Sequence, residues 1–325
     1  MIPILDVSGL KVSIRTDEGT ASILDNVSLS VETGRILGVV GESGCGKSTL
    51  IRTIMGILPR TARIDAGTIM FEGENLLVFS EVELNTRIRS TRIGFIPQDP
   101  LLALNPVFKV GTQLLEIMRD HAPDDGSRGA ARKRAHVSRL VWLLRRMQVP
   151  DPDVALERYP HQFSGGQRQR LLIAAALACN PVLVIADEPT TALDVTTQHQ
   201  ILLLLRELVG EFNLSMLFVT HDFGVVAELC DDLCVIYAGQ SVEAGPVEPI
   251  LAAPGHPYTK LLLDCHPERT AAFRGIPGTV PSPLMPLPGC RFAPRCPDVQ
   301  AHCSAGAPPE GRAGSGALVR CVQYA

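Results

Sequence analysis

The chain has 325 residues, of which 46% are hydrophobic and 20% are charged, and its formal net charge is −4. This hydrophobic content excludes a disordered chain, and the small negative charge gives no general attraction for nucleic acid. No uninterrupted apolar stretch reaches the roughly 18 residues that a transmembrane helix requires. The first residues lack the basic region of a secretory signal, so we expect the chain to stay in the cytosol unless a partner holds it at a membrane.

The sequence up to about residue 250 alternates short Val/Ile/Leu runs with helical patterns, which is typical of an α/β fold with a buried, mostly parallel sheet. Continuous apolar runs of strand length occur at 36–40, 182–186 and 216–219. The segments 10–31 and 68–77 alternate more strongly and contain turn signals, which predicts a small antiparallel sheet.

A basic helical region is predicted between residues 110 and 160. The segments 110–119 and 128–148 are rich in Leu, Arg and Ala, and no strand-like run interrupts them. We interpret the arginines as a solvated helix face, because a nucleic-acid site would need aromatic partners and only Trp142 is near.

Residues 41–48 match the phosphate-binding loop pattern G-x-x-x-x-G-K-[ST] and lie between a predicted strand and a predicted helix. In such a loop, backbone N–H groups and the helix N-terminus bind phosphates. We expect Lys47 to add a positive charge and the Ser48 hydroxyl to bind Mg²⁺, whereas Cys45 fills a free position of the pattern. The predicted nucleotide-binding residues here are Gly41, Glu42, Ser43, Gly44, Cys45, Gly46, Lys47, Ser48 and Thr49.

Two carboxylates follow the apolar run at 182–186. Asp187 is placed to hold the Mg²⁺ shell, and Glu188 is placed to act as a general base on water. A strand that ends in solvated acids is the simpler interpretation of this pair alone, but a phosphate loop in the same chain favours the catalytic one.

A second anion-binding pattern precedes a predicted helix at 168–179. Ser164 is a natural helix N-cap, and the glycines after it leave N–H groups open to an anion. The motif resembles the LSGGQ signature of the ATP-binding-cassette (ABC) family, with Phe163 in place of the usual Leu. In that family two cassettes pack head to tail, and the signature of one closes on ATP held by the other. The signature residues are therefore Ser164, Gly165, Gly166 and Gln167.

The resemblance assigns roles to further residues. Gln98 matches the Q-loop glutamine, which contacts Mg²⁺ and water, and its loop contacts the membrane partner. Asp194 of Ala192-Leu193-Asp194 matches the D-loop, and His221 matches the switch histidine that contacts the γ-phosphate. The slot for an aromatic residue that stacks on adenine holds Ile14, which predicts the loss of roughly 1 kcal/mol of stacking.

Beyond residue 250 prolines recur and prevent long helices or strands, so this segment needs a cross-link or a partner surface to be ordered. His256-Pro257-Tyr258-Thr259 and the stretch that follows resemble the ATPases of the dipeptide/oligopeptide/nickel importer family. The motifs at 98–106, 159–162, 186–194 and 237–240 fit the same branch.

Four cysteines lie in the last part of the chain, with the spacing C-x₅-C-x₆-C-x₁₇-C. A cytosolic location disfavours disulfides, and four thiolates can bind Zn²⁺ or an iron–sulfur cluster, or remain free. In the importer ATPases, a pattern similar to this one holds a [4Fe–4S] cluster, so the resemblance implies that cluster, with zinc as the alternative. The predicted ligands are Cys290, Cys296, Cys303 and Cys321.

The resemblance implies a P-loop NTPase (RecA-like) core with an antiparallel β subdomain and an α-helical signature subdomain at about 99–170. The ATPase domain is expected at 1–250 and a Pro/Cys-rich extension at 251–325. The implied function is ATP hydrolysis that powers the import of di- or oligopeptides, or else of nickel or another small solute. The implied partners are a second, paralogous ATPase subunit, two transmembrane permease subunits and, indirectly, an extracytoplasmic binding protein, with the chain at the cytoplasmic face of the inner membrane.

Two other classes of cassette protein are disfavoured. Soluble cassettes that act on ribosomes or DNA usually carry two cassettes or a long coiled-coil insertion, which this sequence lacks. A regulatory subunit that does not hydrolyse ATP would not need Glu188, His221 and Ser164, all of which are present.

Overall fold

The computed structural model describes residues 3–124, 126–191, 193–265, 275–285 and 288–324. Ala192 of the predicted D-loop and residues 266–274 and 286–287 of the predicted extension lie outside the described residues. The chain divides into two compact units, the first of Met1–Val78 with Phe218–Ala325 and the second of Phe79–Leu217.

The strands are β1 Leu5–Thr16, β2 Gly19–Val31, β3 Ile36–Val40, β4 Ala62–Phe71, β5 Glu74–Asn75, β6 Ile93–Ile96, β7 Leu183–Asp187, β8 Ser215–Thr220, β9 Asp232–Tyr237, β10 Gln240–Pro246, β11 Glu310–Arg312 and β12 Leu318–Arg320. The α-helices are α1 Lys47–Ile54, α2 Glu81–Glu83, α3 Pro100–Ala103, α4 Val110–His121, α5 Gly129–Arg146, α6 Pro152–Ala155, α7 Gly165–Leu177, α8 Val195–Phe212, α9 Phe223–Leu229, α10 Val247–Ala252 and α11 Pro257–Asp264. Short 3₁₀ turns are Leu76–Val78, Pro160–Gln162, Ala293–Arg295, Ala301–Ser304 and Val322–Tyr324, and Leu84–Ile88 is a π-helical turn.

The first unit contains an antiparallel sheet in the order β2-β1-β4-β5. The prediction of a small antiparallel sheet is confirmed, although β1 and β4 each begin earlier than the predicted segments 10–31 and 68–77. A tight hairpin joins β1 to β2, with Thr16 paired to Gly19. Buried positions alternate with half-buried or exposed ones along β2, so one face of this sheet packs against the interior and the other is more exposed.

The same unit contains a run of strands in the order β11-β12-β10-β9-β3. The apolar strand β3 is completely buried and pairs in parallel with β9. Strand β10 pairs with β9 and β12 in antiparallel directions. The C-terminal segment thus adds β11 and β12 to the strands that carry β3, while the domain boundary near residue 250 stays a prediction.

The second unit contains helices α3 to α7 and the parallel pair β6 and β7, with Ile93 opposite Leu183. Both helices predicted in the basic region are present, as α4 and α5. Helix α7 packs directly on β6, since a Cβ atom added to Gly94 would lie 2.4 Å from the carbonyl oxygen of Ala176. The limits of a separate helical subdomain at about 99–170 stay a prediction.

Across the described ranges, no helix combines the length and the apolar character needed to cross a membrane.

A buried carboxylate fixes the start of the C-terminal extension. Glu243 of β10 is 1% exposed, and its two oxygens accept the N–H groups of Gly255 at 2.7 Å and His256 at 3.1 Å. The imidazole Nδ1 of His256 in turn accepts the N–H of Tyr258 at 3.0 Å, which caps α11. Burial lowers the pKa of His256 to about 3, so the ring is neutral and can act as this acceptor.

We predict that Glu243→Ala destabilises the chain by about 1–3 kcal/mol, because it leaves two buried N–H donors without acceptors. Glu18→Ala, at an exposed position in the β1–β2 turn, is the matched control and should change stability by less than about 0.5 kcal/mol. Chemical denaturation of the full chain measures both. Equal stability of the two variants would contradict a structural role for Glu243.

Candidate functional site

The phosphate loop turns sharply between β3 and α1 in the first unit. A Cβ atom added to Gly41 would lie 2.1 Å from the carbonyl oxygen of Ile236, so only glycine fits there. Gly46 has a φ of 106°, and a Cβ atom there would lie 2.6 Å from Leu24 Cδ2. These two glycines let the backbone turn tightly between β3 and α1, as a phosphate-binding loop requires.

Lys47 lies within this loop. Its side chain is 6% exposed, and Nζ donates to the carbonyl oxygens of Gly41 at 2.7 Å and Glu42 at 3.2 Å. No side chain caps the N-terminus of α1, which leaves its first N–H groups for an anion. Ser48 is exposed at the same helix end, whereas Cys45 is buried beneath the loop and burial raises the pKa of its thiol. The loop thus presents a buried cation and helix N–H groups for a phosphate chain.

The predicted base and the predicted Q-loop residue meet in the second unit. Gln98 Nε2 donates to Glu188 Oε2 at 3.3 Å, and the Thr191 hydroxyl donates to the same oxygen at 3.2 Å. Glu188 follows β7 with a φ of 44°, a conformation that non-glycine residues adopt only at a cost of about 1 kcal/mol or more. Asp187, the last residue of β7, is half-buried beside it. The two hydrogen bonds therefore orient the Glu188 carboxylate, and the surrounding structure keeps its backbone in this unfavourable conformation.

The signature motif is a capped helix start. The Ser164 hydroxyl accepts the N–H of Gln167 at 3.3 Å, and Gln167 Oε1 accepts the N–H of Ser164 at 3.0 Å. Phe163 is 4% exposed, so the larger side chain in the usual Leu position is accommodated in the interior. Ser164 and Gly165 are exposed, as an anion-binding surface requires.

The signature is linked to Asp194 through one threonine. Asp194 caps α8 by accepting the N–H of Thr197 at 3.0 Å, and the Thr197 hydroxyl donates to its other oxygen at 2.7 Å. A Cβ atom added to Gly166 would lie 2.6 Å from the Thr197 methyl group. The structure therefore brings together Gly166 and Asp194, which are 28 positions apart in the numbering and were predicted as separate motifs.

His221 and Ile14 belong to the first unit. His221 follows β8 and is exposed, and the next residue, Asp222, caps α9 by accepting the N–H of Gly224 at 2.7 Å. Ile14 lies half-buried in β1, opposite Ala21 and Ala62 on the neighbouring strands. It is an apolar position on the sheet, as the sequence indicated.

Sequence reasoning gave no role to two residues that contact the phosphate loop. The Tyr258 hydroxyl accepts the N–H of Glu42 at 3.0 Å, and Arg295 pairs with the Glu42 carboxylate at 2.8 Å. The one feature of the sequence that could have drawn attention to Arg295 is its position as a charged residue in an apolar, cysteine-rich segment. Nothing in its local pattern indicates that its partner is 253 positions away.

The four predicted ligand cysteines surround one small cavity in the first unit. Its lining includes Cys290, Cys296, Cys303 and Cys321. The N–H of Cys290 donates to the carbonyl oxygen of Cys303 at 2.8 Å. Burial raises the pKa of Cys290, and the nearby thiols of Cys303 and Cys321 raise it further. Among the residues that the structure describes, no group of three or more His, Cys, Asp or Glu side chains is arranged to hold a single metal ion.

Known families match this chain in two places. The ABC transporter family matches residues 24–191, and the C-terminal region of oligopeptide/dipeptide transporters matches residues 242–303. A probable peptide ABC transporter ATP-binding protein of Sinorhizobium fredii is 43% identical over 305 residues, which cover 92% of this chain and 89% of that protein. The chain belongs to the ABC transporter family.

Further members of the family are similar over the same length. The oligopeptide transport ATP-binding protein OppD of Haemophilus influenzae is 42% identical over 93% of this chain and 92% of its own. The dipeptide transport ATP-binding protein DppD of Bacillus subtilis is 44% identical over 93% of this chain and 89% of its own. A solved dimeric ATP-binding cassette in a post-hydrolysis state with ADP and Pi matches with a TM-score of 0.65 and 26% identity, covering 75% of this chain and 99% of that one. These matches confirm the predicted ABC ATPase and its P-loop fold.

We predict that Gly166→Ala destabilises this cassette by about 1–2 kcal/mol, because the added methyl group displaces a threonine held by Asp194. Thr197→Ser keeps the hydroxyl and removes the methyl group, so it should restore most of the stability in the double variant. Gly165→Ala is the control, since the nearest atom to its Cβ would be Leu193 Cδ2 at an ordinary 3.9 Å. Thermal unfolding compares the stability of the unmodified protein, Gly166→Ala, the double variant and Gly165→Ala. If the double variant is no more stable than Gly166→Ala, the close contact is contradicted.

Proposed function

We propose that this chain is the ATP-hydrolysing subunit of an ABC importer for di- or oligopeptides. The observation that supports it most is the presence of a cassette and a peptide-transporter C-terminal region on one chain, at 24–191 and 242–303. The names of the relatives agree, because several are peptide transport ATP-binding proteins. Import of nickel or another small solute by the same kind of subunit is the alternative.

In this proposal the phosphate loop binds the nucleotide. The phosphate-loop N–H groups and the Lys47 ammonium hold the β- and γ-phosphates, and the exposed His221 contacts the γ-phosphate. Mg²⁺, when bound by Ser48, Gln98 and Asp187, supplies positive charge that offsets the charge of the phosphates. The hydroxyl, amide and carboxylate oxygens of these three residues are the kind of ligand that Mg²⁺ prefers.

Glu188 acts as the general base of hydrolysis. Its carboxylate takes a proton from water as the water oxygen attacks the γ-phosphorus and ADP leaves. The hydrogen bonds from Gln98 and Thr191 support this role, because they orient the carboxylate and keep the Gln98 amide beside it. Ser164, Gly165, Gly166 and Gln167, with Asp194, serve the ATP held by the second cassette of a head-to-tail pair.

The proposed assembly is membrane-associated at the cytoplasmic face of the inner membrane. It comprises this chain, a second and paralogous ATPase subunit, two transmembrane permease subunits and an extracytoplasmic solute-binding protein that acts through the permeases. Nucleic acid is not a partner in this proposal. Exposed apolar residues just after Gln98, including Leu101 at 63% and Leu102 at 85%, support contact with a membrane subunit in this loop.

Glu188→Gln is expected to keep ATP binding and to lower turnover by at least about a hundredfold, because the amide keeps the shape and loses the base. The measurement is phosphate release by the assembled transporter, with nucleotide retention followed in parallel. Glu157→Gln, an exposed acid paired with Lys109, is the control and should leave turnover unchanged. Near-normal hydrolysis by the Glu188 variant would remove this residue from the catalytic role.

The transported solute is tested separately from hydrolysis. Proteoliposomes that contain the whole transporter and the binding protein are given a labelled tripeptide or Ni²⁺. Peptide uptake that requires ATP supports the proposal, and uptake of nickel alone supports the alternative.

A [4Fe–4S] cluster at the four cysteines is also part of the proposal. Four soft thiolates are the donor set of such a cluster, and all of them line one cavity. A cluster takes one thiolate for each iron, so its four ligands need not meet at one atom as they do around zinc. When bound, the cluster supplies a cross-link between Cys290, Cys296, Cys303 and Cys321, in a segment whose other apolar cluster is small.

We predict that anaerobically purified transporter contains about four irons for each copy of this chain and absorbs broadly near roughly 400 nm. Replacing any one of the four cysteines by Ser should bleach this absorption, because one iron loses its ligand. Cys265→Ser is the matched control, since Cys265 lies at the end of α11 and does not line the cavity. Stoichiometric zinc without iron would contradict the cluster and support a zinc site at the same cysteines. Four free thiols would contradict both the cluster and the zinc site.

A further inference from the structure

The second residue of the phosphate loop is held by an arginine of the C-terminal extension. Arg295 Nη1 donates to Glu42 Oε2 at 2.8 Å, and Arg295 Nη2 donates to Glu42 Oε1 at 3.1 Å. This is a two-point pair, the strongest geometry between a guanidinium and a carboxylate. The Arg295 side chain is only 3% exposed and that of Glu42 is 27% exposed, so water screens the pair weakly.

Every N–H donor of the Arg295 guanidinium has an acceptor. Besides the two bonds to Glu42, Nε donates to the carbonyl oxygen of Pro277 at 2.9 Å, and Nη2 donates to that of Ile276 at 3.1 Å. Nη1 also donates to the Tyr237 hydroxyl at 3.3 Å. A guanidinium whose five donors are all used has one orientation, and this orientation holds its positive charge beside the Glu42 carboxylate.

A second residue of the extension holds the backbone of the same loop position. The Tyr258 hydroxyl accepts the N–H of Glu42 at 3.0 Å. The ring of Tyr258 is completely buried against Tyr237 and Phe292, at centroid distances of 4.5 and 5.3 Å. Glu42 is thus fixed at its backbone by one residue of the extension and at its carboxylate by another.

The charge of Glu42 is relevant to nucleotide binding because this residue belongs to the loop that takes the phosphates. Its carbonyl oxygen accepts a hydrogen bond from the Lys47 ammonium at 3.2 Å. A carboxylate without its cation at this position would repel a triphosphate and compete for Lys47. With Arg295 in place, the pair is neutral and the ammonium remains directed along the loop.

We propose that Arg295 is a positioning residue for nucleotide binding, which neutralises and fixes Glu42 and so links the order of the four-cysteine segment to the affinity for ATP. This inference rests on the proposed function, in which the phosphate loop binds ATP. Arg295 directly precedes Cys296, one of the cavity cysteines. Loosening of that segment would therefore withdraw the guanidinium from the loop.

The test is a double-mutant cycle that removes the charges of Arg295 and Glu42 singly and together, in the full chain within the assembled transporter. The KM for ATP and kcat are measured for each variant. Arg295→Gln is expected to raise the KM about tenfold with little change in kcat, because the unpaired carboxylate opposes the triphosphate. Glu42→Gln is expected to lower the KM about threefold, because it leaves an extra positive charge at the loop. The double variant is expected to return to within about twofold of the unmodified protein, since both charges are gone.

Two further variants separate charge from structure. Arg295→Lys keeps the charge and loses the two-point geometry, so its KM should rise by no more than about threefold. Arg320→Gln is the matched control, because Arg320 also lies in the extension and is 15% exposed but pairs with Glu310. Its KM should equal that of the unmodified protein.

The outcomes are distinguishable from failure of the proposed function. If the unmodified transporter does not hydrolyse ATP, or if Lys47→Ala leaves the KM unchanged, the proposed site itself is wrong. If the site is functional and Arg295→Gln has a normal KM, the positioning role is overturned. It is also overturned if the double variant is as impaired as Arg295→Gln, because the effect would then not depend on the charge of Glu42.

Discussion

The close approach of the phosphate loop to β9 is the constraint on which the site depends. The space between Gly41 and the carbonyl oxygen of Ile236 leaves no room for a side chain, so the chain must leave β3 at this point with glycine. The parallel pairing of β3 with β9 brings the loop to the end of β9, next to Tyr237. From there the buried rings of Tyr237, Tyr258 and Phe292 bring the C-terminal extension to the same edge. The nucleotide loop and the extension are consequently parts of one packed unit.

Much of the fold and the main motifs could be predicted from the sequence because their signals are local. The strands β3, β7 and β8 are continuous apolar runs, and the loops after them carry the polar residues expected at strand ends. Ser164 and Gln167 form the capping box that their three-residue spacing allows. These features need only neighbours along the chain to be recognised.

The contacts of the extension could not be predicted in this way. Strands β11 and β12 have three residues each, too few for a periodic pattern. Glu243 looks like an exposed polar residue in an alternating strand, yet its carboxylate is buried because two N–H groups of a later turn need acceptors. The Arg295–Glu42 pair joins residues from opposite ends of the chain, and only the folded structure reveals it.

Strand β12 also determines which strand forms the edge of the sheet in this unit. It pairs with β10 at Glu243 and Ala244, and β11 then covers β12 with Glu310 and Arg312 on either side of a glycine. An uncovered β10 would present free N–H and carbonyl groups to other chains, which is a template for intermolecular pairing. The short, charged outer strand instead ends the sheet with residues that resist such pairing. Residues 310–320 therefore occupy the pairing edge of β10, and this contact involves no nucleotide or metal.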